Sequence, residues 1–259
     1  MIQRELLGDC AVIRLARPEA MNALNVELVE AVLDAFRDIV AQGSARAVLI
    51  TGSGRAFSAG GDLSHFARTR STHGENAARR IGEFMEAGGN ALVEAIVGSP
   101  LPVVCAVNGP CVGGAVGIAL AADMVLAARS AYFLIPQVEQ LGVVPDFGAT
   151  WVLARHLGRA RALGLALLGE RLGAERAEQW GLIWRCVDDE RLEAEAIALV
   201  QRLARLPAAA IGATRALLDS ATGSDCTTQL ARERKVQMQM LDSDHPWQAF
   251  ARFAAKART

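Results

Sequence analysis

The chain has 259 residues, of which 52% are hydrophobic. That suffices for one large domain, or for one domain with a smaller appendage, around a sizeable core. With 27 basic against 28 acidic residues the net charge is −1, which excludes a nucleic-acid or membrane-surface partner held by bulk charge.

In chain order, Ala11 to Leu15 reads as a strand, ended by a turn at Arg17-Pro18. From Asn25 the apolar residues Leu28, Val29, Val32, Leu33, Phe36, Ile39 and Val40 recur at helical spacing. Asn25 is the expected N-cap and Gly43 the stop. Ala47 to Thr51 is a second strand. The glycine turn Phe57-Ser-Ala-Gly-Gly-Asp-Leu63 follows it. Residues Arg68 to Arg80 are polar and charged and are expected to form a solvated mobile loop, with Arg68, Arg70, Arg79 and Arg80 facing water. A helix is predicted over Ile81 to Val97, a strand over Val103 to Val107, a small-residue helix from Gly113-Gly114 to Ala122, and a strand over Met124 to Ala128. The remainder reads as helices: Asp146–His156, Ala160–Leu168, Ala174–Trp180, Asp189–Leu206, Ala208–Ala221, Cys226–Leu241 and Pro246–Ala257. Trp151, Trp180 and Trp184 read as core. Strand–strand–helix units followed by a helical tail suggest an α/β layer and then an assembly module.

Five cysteines, Cys10, Cys105, Cys111, Cys186 and Cys226, are widely spaced and form no CxxC pair. Neither a disulfide framework nor a zinc site follows, and reduced thiols in the cytoplasm are expected. His65, His73, His156 and His245 show no ligand spacing, so no metal is expected. Met1 to Asp9 lacks the apolar stretch of a signal peptide, and Ala115–Ala128 is short and interrupted by Asp123, so no membrane span is expected.

The paired glycines Gly60-Gly61 and Gly113-Gly114 each follow a strand. Glycine admits positive φ and lets an N–H approach a ligand with no Cβ in the way. The second pair also opens a helix, whose first N–H groups have no partner within it. Two such donors converging on one carbonyl oxygen make an oxyanion hole. Tight turns with close packing would use the same residues, and neither string is a phosphate-binding loop or a dinucleotide fingerprint.

Several strings together resemble the crotonase (enoyl-CoA hydratase/isomerase) superfamily. They are Arg17-Pro18 with Asn22-Ala-Leu-Asn25; Ala56-Phe-Ser-Ala-Gly-Gly-Asp-Leu63; Pro102-Val-Val-Cys-Ala-Val-Asn-Gly109 leading to Gly113-Gly114; Ala121-Ala-Asp123; Leu141-Gly142 to Pro145; and Trp180-Gly-Leu182 with Val187-Asp188. The resemblance runs over residues 10 to 257. It implies an α/β fold, a spiral of ββα units over residues 1–195 carrying the acyl-CoA site, with a C-terminal helical trimerisation region over 196–259. It implies an acyl-CoA thioester substrate, no other cofactor, no metal, no nucleic acid or membrane partner, and a homotrimer or dimer of trimers. By position, the amides of Gly61 and Gly114 would hold the thioester oxygen. Ala23, Leu24, Ser58, Ala59, Asp62 and Leu63 would line the CoA, and Phe253 and Lys256 would reach it from a neighbouring subunit. Lys256 also reads simply as a solvated tail lysine. Asp62 and Asp123 match positions that hold turns.

Departures from the family pattern select the chemistry. Hydratases of the superfamily carry two glutamates around a water. Here the first position is Gly117 and the second is Gln137, which cannot act as a base; Glu139 lies two residues on. Asp146, after Gly142-Val-Val-Pro145, matches the lone acid/base of the isomerase branches. Its strings resemble most the branch that converts a phenylacetyl-CoA ring epoxide to an oxepin and moves Δ3 double bonds to Δ2. Val143, Val144 and Phe147 are expected to desolvate Asp146 and strengthen it as a base. The competing reading of Asp146 is an N-cap of the helix that follows. A hydratase, and a silent CoA-ester or RNA-binding member, stand as alternatives.

Overall fold

The computed structural model describes residues 1–256. Nine strands are present among them: β1 (Ile2–Leu7), β2 (Cys10–Leu15), β3 (Ala47–Gly52), β4 (Val103–Val107), β5 (Cys111–Val112), β6 (Met124–Ala128), β7 (Tyr132–Leu134), β8 (Leu172–Gly173) and β9 (Arg185–Val187). The helices are α1 (Val26–Gln42), α2 (Leu63–His73), α3 (Ala77–Phe84), α4 (Ala91–Val97), α5 (Gly114–Leu120), α6 (Ala149–Leu168), α7 (Ala174–Gln179), α8 (Leu192–Ala204), α9 (Ala208–Ala221), α10 (Cys226–Leu241) and α11 (Asp244–Lys256).

Six strands form the main sheet in the order β1-β2-β3-β4-β6-β9, antiparallel only between β1 and β2. Its central strands β3 and β4 are buried at every position, which is why Val48-Leu-Ile50 and Val103-Val104 read as unbroken apolar runs rather than as alternation. A small sheet, β5-β7-β8, lies beyond it. Its strands hold two or three residues each, too few for a periodicity to register. Helix α1 buries Leu28, Val29, Val32, Leu33, Phe36 and Ile39. The Asn25 side chain accepts from the Leu28 N–H, and Gly43 closes the helix with φ +61°.

The chain divides into two compact units, Met1–Arg205 and Leu206–Thr259. The division expected at 195/196 falls inside α8, whose buried residues Ala196, Val200 and Ala204 pack in the first unit against β3, β4 and β6. The second unit consists of α9, α10 and α11, with Leu217, Leu218, Leu230 and Met240 facing a groove of about 630 Å³ between α9 and α10.

Three expectations need correction. The segment from Arg68 to Arg80 is helical, not a loop, because Asp62 caps α2 through the His65 N–H and Ala77 anchors α3 by burial. Helix α6 begins at Ala149 rather than Asp146, because Phe147 and Gly148 both take left-handed φ, +47° and +77°. Two of the three tryptophans are not core: Trp151 and Trp184 are exposed, with Arg155 over the Trp151 ring at 3.8 Å, whereas Trp180 is half-buried against the core and flanked by Arg161 and Arg176. Cys10, Cys105 and Cys111 are buried free thiols. No single helix among the described residues is long and apolar enough to cross a membrane.

Asn22 ties the loops that meet at the end of this sheet. It is buried at φ +54°, its Nδ2 donates to the Ser53 and Ala56 carbonyls, and its Oδ1 accepts from the Arg17 N–H. Replacement by alanine orphans these buried groups in a conformation alanine resists. Asn22→Ala should lower unfolding free energy by about 3 kcal/mol, read as a fall in urea midpoint at unchanged slope. A midpoint equal to wild type would show that the three bonds contribute nothing net.

Candidate active site

Two loops lie side by side at the carboxyl ends of β3 and β4. The Ser58 N–H donates to the Pro110 carbonyl (3.1 Å), and the Val112 N–H donates to the Ser58 carbonyl (3.0 Å). A Cβ on Gly60 would stand 2.7 Å from the Val112 oxygen, and one on Gly113 would stand 3.8 Å from the Gly60 Cα. Both turn glycines take positive φ, +86° at Gly60 and +59° at Gly113. At Gly60 the close approach of backbone to backbone requires glycine, and at Gly113 the positive φ favours it. A third strand of chain joins them: the Leu24 N–H donates to the Gly60 carbonyl (2.7 Å) and the Asp62 N–H to the Leu24 carbonyl (3.0 Å), which leaves the intervening Gly61 N–H out of the pairing. Gly114 is the first residue of α5, where helix geometry supplies no acceptor. Among the described residues neither the Gly61 nor the Gly114 N–H donates a hydrogen bond.

Asp146 reaches the same place from the other direction. A Cβ on Gly114 would lie 2.9 Å from its Oδ1, so the carboxylate stands beside the second unspent amide. The side chain does not cap α6; Gly148 occupies that position. Burial pushes the Asp146 carboxyl up. A hydrogen bond from Gln137 Nε2, 3.1 Å from Oδ1, and its own backbone N–H offset part of the rise. The source of that burial differs from the expectation in one respect. Val143 and Val144 are 55% and 75% exposed and desolvate nothing in this chain, since the turn at Gly142 carries them outward. Phe147 is the buried neighbour. Its ring fills the space above Gly89 and Gly114, where any Cβ would collide with it, and meets Phe84 edge-on at 6.1 Å.

Gly117 faces the backbone of the same segment. A Cβ there would overlap the Phe147 carbonyl and lie 2.8 Å from the Ala149 nitrogen. Glu139 is exposed and its carboxylate rests against Gly169. Asp146 is thus the carboxylate beside Gly114, while Asp62, beside Gly61, is taken up by Arg17 and the His65 N–H.

The remaining site candidates are placed as follows. Ala23 gives its carbonyl to the Arg17 guanidinium (2.8 Å), which also pairs with Asp62 (3.2 Å). Burial alone would push the Asp62 carboxyl up; the His65 amide and Arg17 outweigh it and hold it below the usual range. Leu24 is buried, and Leu63 is exposed at the start of α2. The Ser58 hydroxyl is turned inward to the Asn22 carbonyl (2.8 Å), and the Ala59 N–H donates to Met21 (2.9 Å). Asp123 accepts from the Val103 N–H (2.7 Å), a turn-holding contact. His65 packs against Phe66 and Phe84. Phe253 is exposed on α11 in the second unit, and the Lys256 side chain lies outside the described residues. The described residues hold no cluster of three or more metal-ligating side chains. Arg17 was given no role here by sequence reading, and Gln137 was placed here only as the substituent of a glutamate, not as a partner of Asp146. Arg17 had a signal, its position in the Arg-Pro string; Gln137 had none beyond its place after Pro136.

A largely parallel sheet ends in two contacting glycine turns with unspent amides, and Asp146 stands beside the second of them. The sequence profile of the enoyl-CoA hydratase/isomerase family matches residues 7–259, and the chain belongs to that family. It is 41% identical over 223 residues to the 1,2-epoxyphenylacetyl-CoA isomerase of Escherichia coli K12, covering 86% of this chain and 83% of that one. It is 42% identical over 236 residues to a "probable enoyl-CoA hydratase" of Rhodobacter capsulatus, covering 91% and 88%. The crystal structure of an enoyl-CoA hydratase from Polaromonas superposes with a TM-score of 0.88 at 30% identity, over 98% of this chain and 97% of that one.

The raised carboxyl at Asp146 sets a pH dependence of stability. The folded state holds this proton to a higher pH than the unfolded chain does, so stability falls as pH rises through the window above the ordinary aspartate range. Asp146→Asn removes the buried charge and keeps an acceptor for Gln137. The variant should melt higher than wild type at neutral pH, with the gain gone near about pH 3. An equal gain at both pH values would mean the effect is not ionisation of Asp146.

Proposed function

We propose that the chain is an acyl-CoA isomerase in which Asp146 moves a proton between carbons beside a thioester enolate held by the Gly61 and Gly114 amides. The observation that carries this reading is the single half-buried carboxylate beside the unspent amide of Gly114, with the position for a second acid at Gly117 closed by backbone. Two N–H donors on the thioester oxygen stabilise the enolate as charge develops. The adjacent C–H then becomes acidic enough for a carboxylate to take. Asp146 removes the proton from one carbon, electrons move into the conjugated enolate, and the same carboxyl returns the proton to another carbon on the same face. Burial, which raises the carboxyl's affinity for a proton, suits it to both steps.

The similarity to the Escherichia coli isomerase favours an arylacetyl-CoA ring epoxide as substrate, with Δ3-enoyl-CoA to Δ2-enoyl-CoA shifts as a second activity of the same proton transfer. CoA enters as part of the substrate, with no metal and no further cofactor. Ala23, Leu24, Ser58, Ala59, Asp62 and Leu63 would offer mainly backbone to it, because Ser58 and Asp62 spend their side chains internally. The helical unit would assemble a homotrimer or a dimer of trimers, bringing Phe253 and Lys256 to a neighbour's CoA. The location would be cytoplasmic.

Asp146→Asn should retain binding of CoA esters while turnover falls by about two to four orders of magnitude, as for loss of a positioned general base. The measurement is product formation from epoxyphenylacetyl-CoA and from 3-hexenoyl-CoA, followed by ultraviolet absorbance and mass spectrometry. Near-wild-type turnover in this variant would overturn the assignment. A wild-type chain that bound both esters and converted neither would be a scaffold instead. Crotonyl-CoA should keep its enone absorbance in the presence of the wild-type chain; rapid loss would favour the hydratase reading.

A further inference from the structure

Gln137 is 5% exposed, and its Nε2 donates to Asp146 Oδ1 at 3.1 Å while its Oε1 is buried with no partner. Its main chain holds the same arm of the molecule. The Gln137 carbonyl accepts from the Val143 N–H (3.0 Å) and from the Gly142 N–H, fixing the turn that leads through Pro145 to Asp146. The side-chain amide lies along the second glycine turn; a Cβ on Gly113 would stand 3.4 Å from Nε2. So one residue touches the carboxylate, the turn that delivers it and the loop that carries the free amide.

The chemistry of an amide in this place is specific. An ionised carboxylate only accepts, so it requires the NH₂ end, as observed. An arginine or lysine here would lock the charged form, and a glutamate would repel it. A buried acceptor left unpaired is costly, yet Oε1 is left so. Once Asp146 has taken a proton it carries an O–H, and half a turn about the last side-chain bond of Gln137 sets Oε1 opposite that hydrogen. The orphaned atom is then the partner for the other state of the acid.

We propose that Gln137 is a positioning residue that holds the Asp146 carboxyl beside the Gly114 amide in both its ionised and its protonated form, by turning its own amide. This rests on the reading of Asp146 as the proton carrier. Among the described residues no charged side chain competes for the role. Burial, Gln137 and the residue's own N–H are the influences on Asp146. Glu139, on the same turn, rests against Gly169. His65, across from Phe84, packs on rings. Glu94 on α4 borders an outer hollow with Gly148 and Trp151, and Arg155 on α6 is spent on the Trp151 ring. His156, also on α6, is held by the Leu182 backbone.

The test is the pH profile of kcat/KM on 3-hexenoyl-CoA for wild type, Gln137→Leu, Gln137→Asn and Asp146→Asn. Loss of the donor removes a bond that favours the ionised base, so the acid limb in Gln137→Leu should move up by about one pH unit. At the wild-type optimum kcat should fall roughly tenfold with KM within about twofold, since the ester's own contacts are untouched. Gln137→Asn keeps the amide but is one methylene short, and should shift the limb in the same direction; it carries the test if the leucine variant does not fold. A packing role would lower melting temperature and leave the limb in place. An unmoved limb in the folded variants, with Asp146→Asn inactive, overturns the role of Gln137 alone. Activity in Asp146→Asn overturns the proton-carrier reading beneath it.

Discussion

The structure turns on main-chain N–H groups that find no acceptor in their own fold. Burying or half-burying such donors without a partner is costly, and native chains avoid it almost everywhere. Here two stand at adjoining glycine turns, that of Gly61, which bridges Leu24 with its own N–H outside the bridge's hydrogen bonds, and that of Gly114 at the first position of α5. What surrounds them keeps them that way. Arg17 clamps Ala23 and Asp62, Asn22 ties down the Ser53 and Ala56 carbonyls, and Ser58 bonds to Asn22. Each contact satisfies a neighbouring polar group and leaves the two donors unspent.

Beside the Gly114 donor the fold sets Asp146, and Phe147 shapes its surroundings. The left-handed φ of this residue, unfavourable for a side chain with a β-carbon, turns the chain so that the ring drops onto Gly89 and Gly114 while its carbonyl closes over Gly117. The same bend that withdraws Asp146 from water removes room for a carboxylate three residues beyond Gly114. The closing of space at Gly117 and the raised proton affinity of Asp146 thus share one bend of the chain. Backbone strain placed beside reacting groups is a recurrent use of such outliers.

Much of the architecture was legible in the residues. Helix α1 announced itself by seven apolar positions at helical spacing between Asn25 and Gly43, and α9 and α10 ended where their patterns ended. Strands β5, β7, β8 and β9 escaped because two or three residues cannot show a period, and α2 escaped because its charged surface resembles a loop while its cap lies at Asp62. The division between units falls later than the resemblance implied, since α8 is tied to the sheet by small buried residues that carry little hydrophobic signal.

The sequence by itself determined the paired glycines, an aspartate at position 146 and the absence of glutamates at 117 and 137, because these depend on residue type at a fixed distance along the chain; their roles came from the family resemblance, since spacing alone fits tight turns and a helix cap equally. Only the tertiary structure decided what surrounds that acid. Val143 and Val144 point outward and Phe147 inward, a glutamine nine residues away holds the carboxylate, and a backbone segment seals Gly117. Side-chain direction in an irregular loop follows from φ and ψ values, and from contacts between segments far apart in the chain. Neither is written in the spacing of residue types.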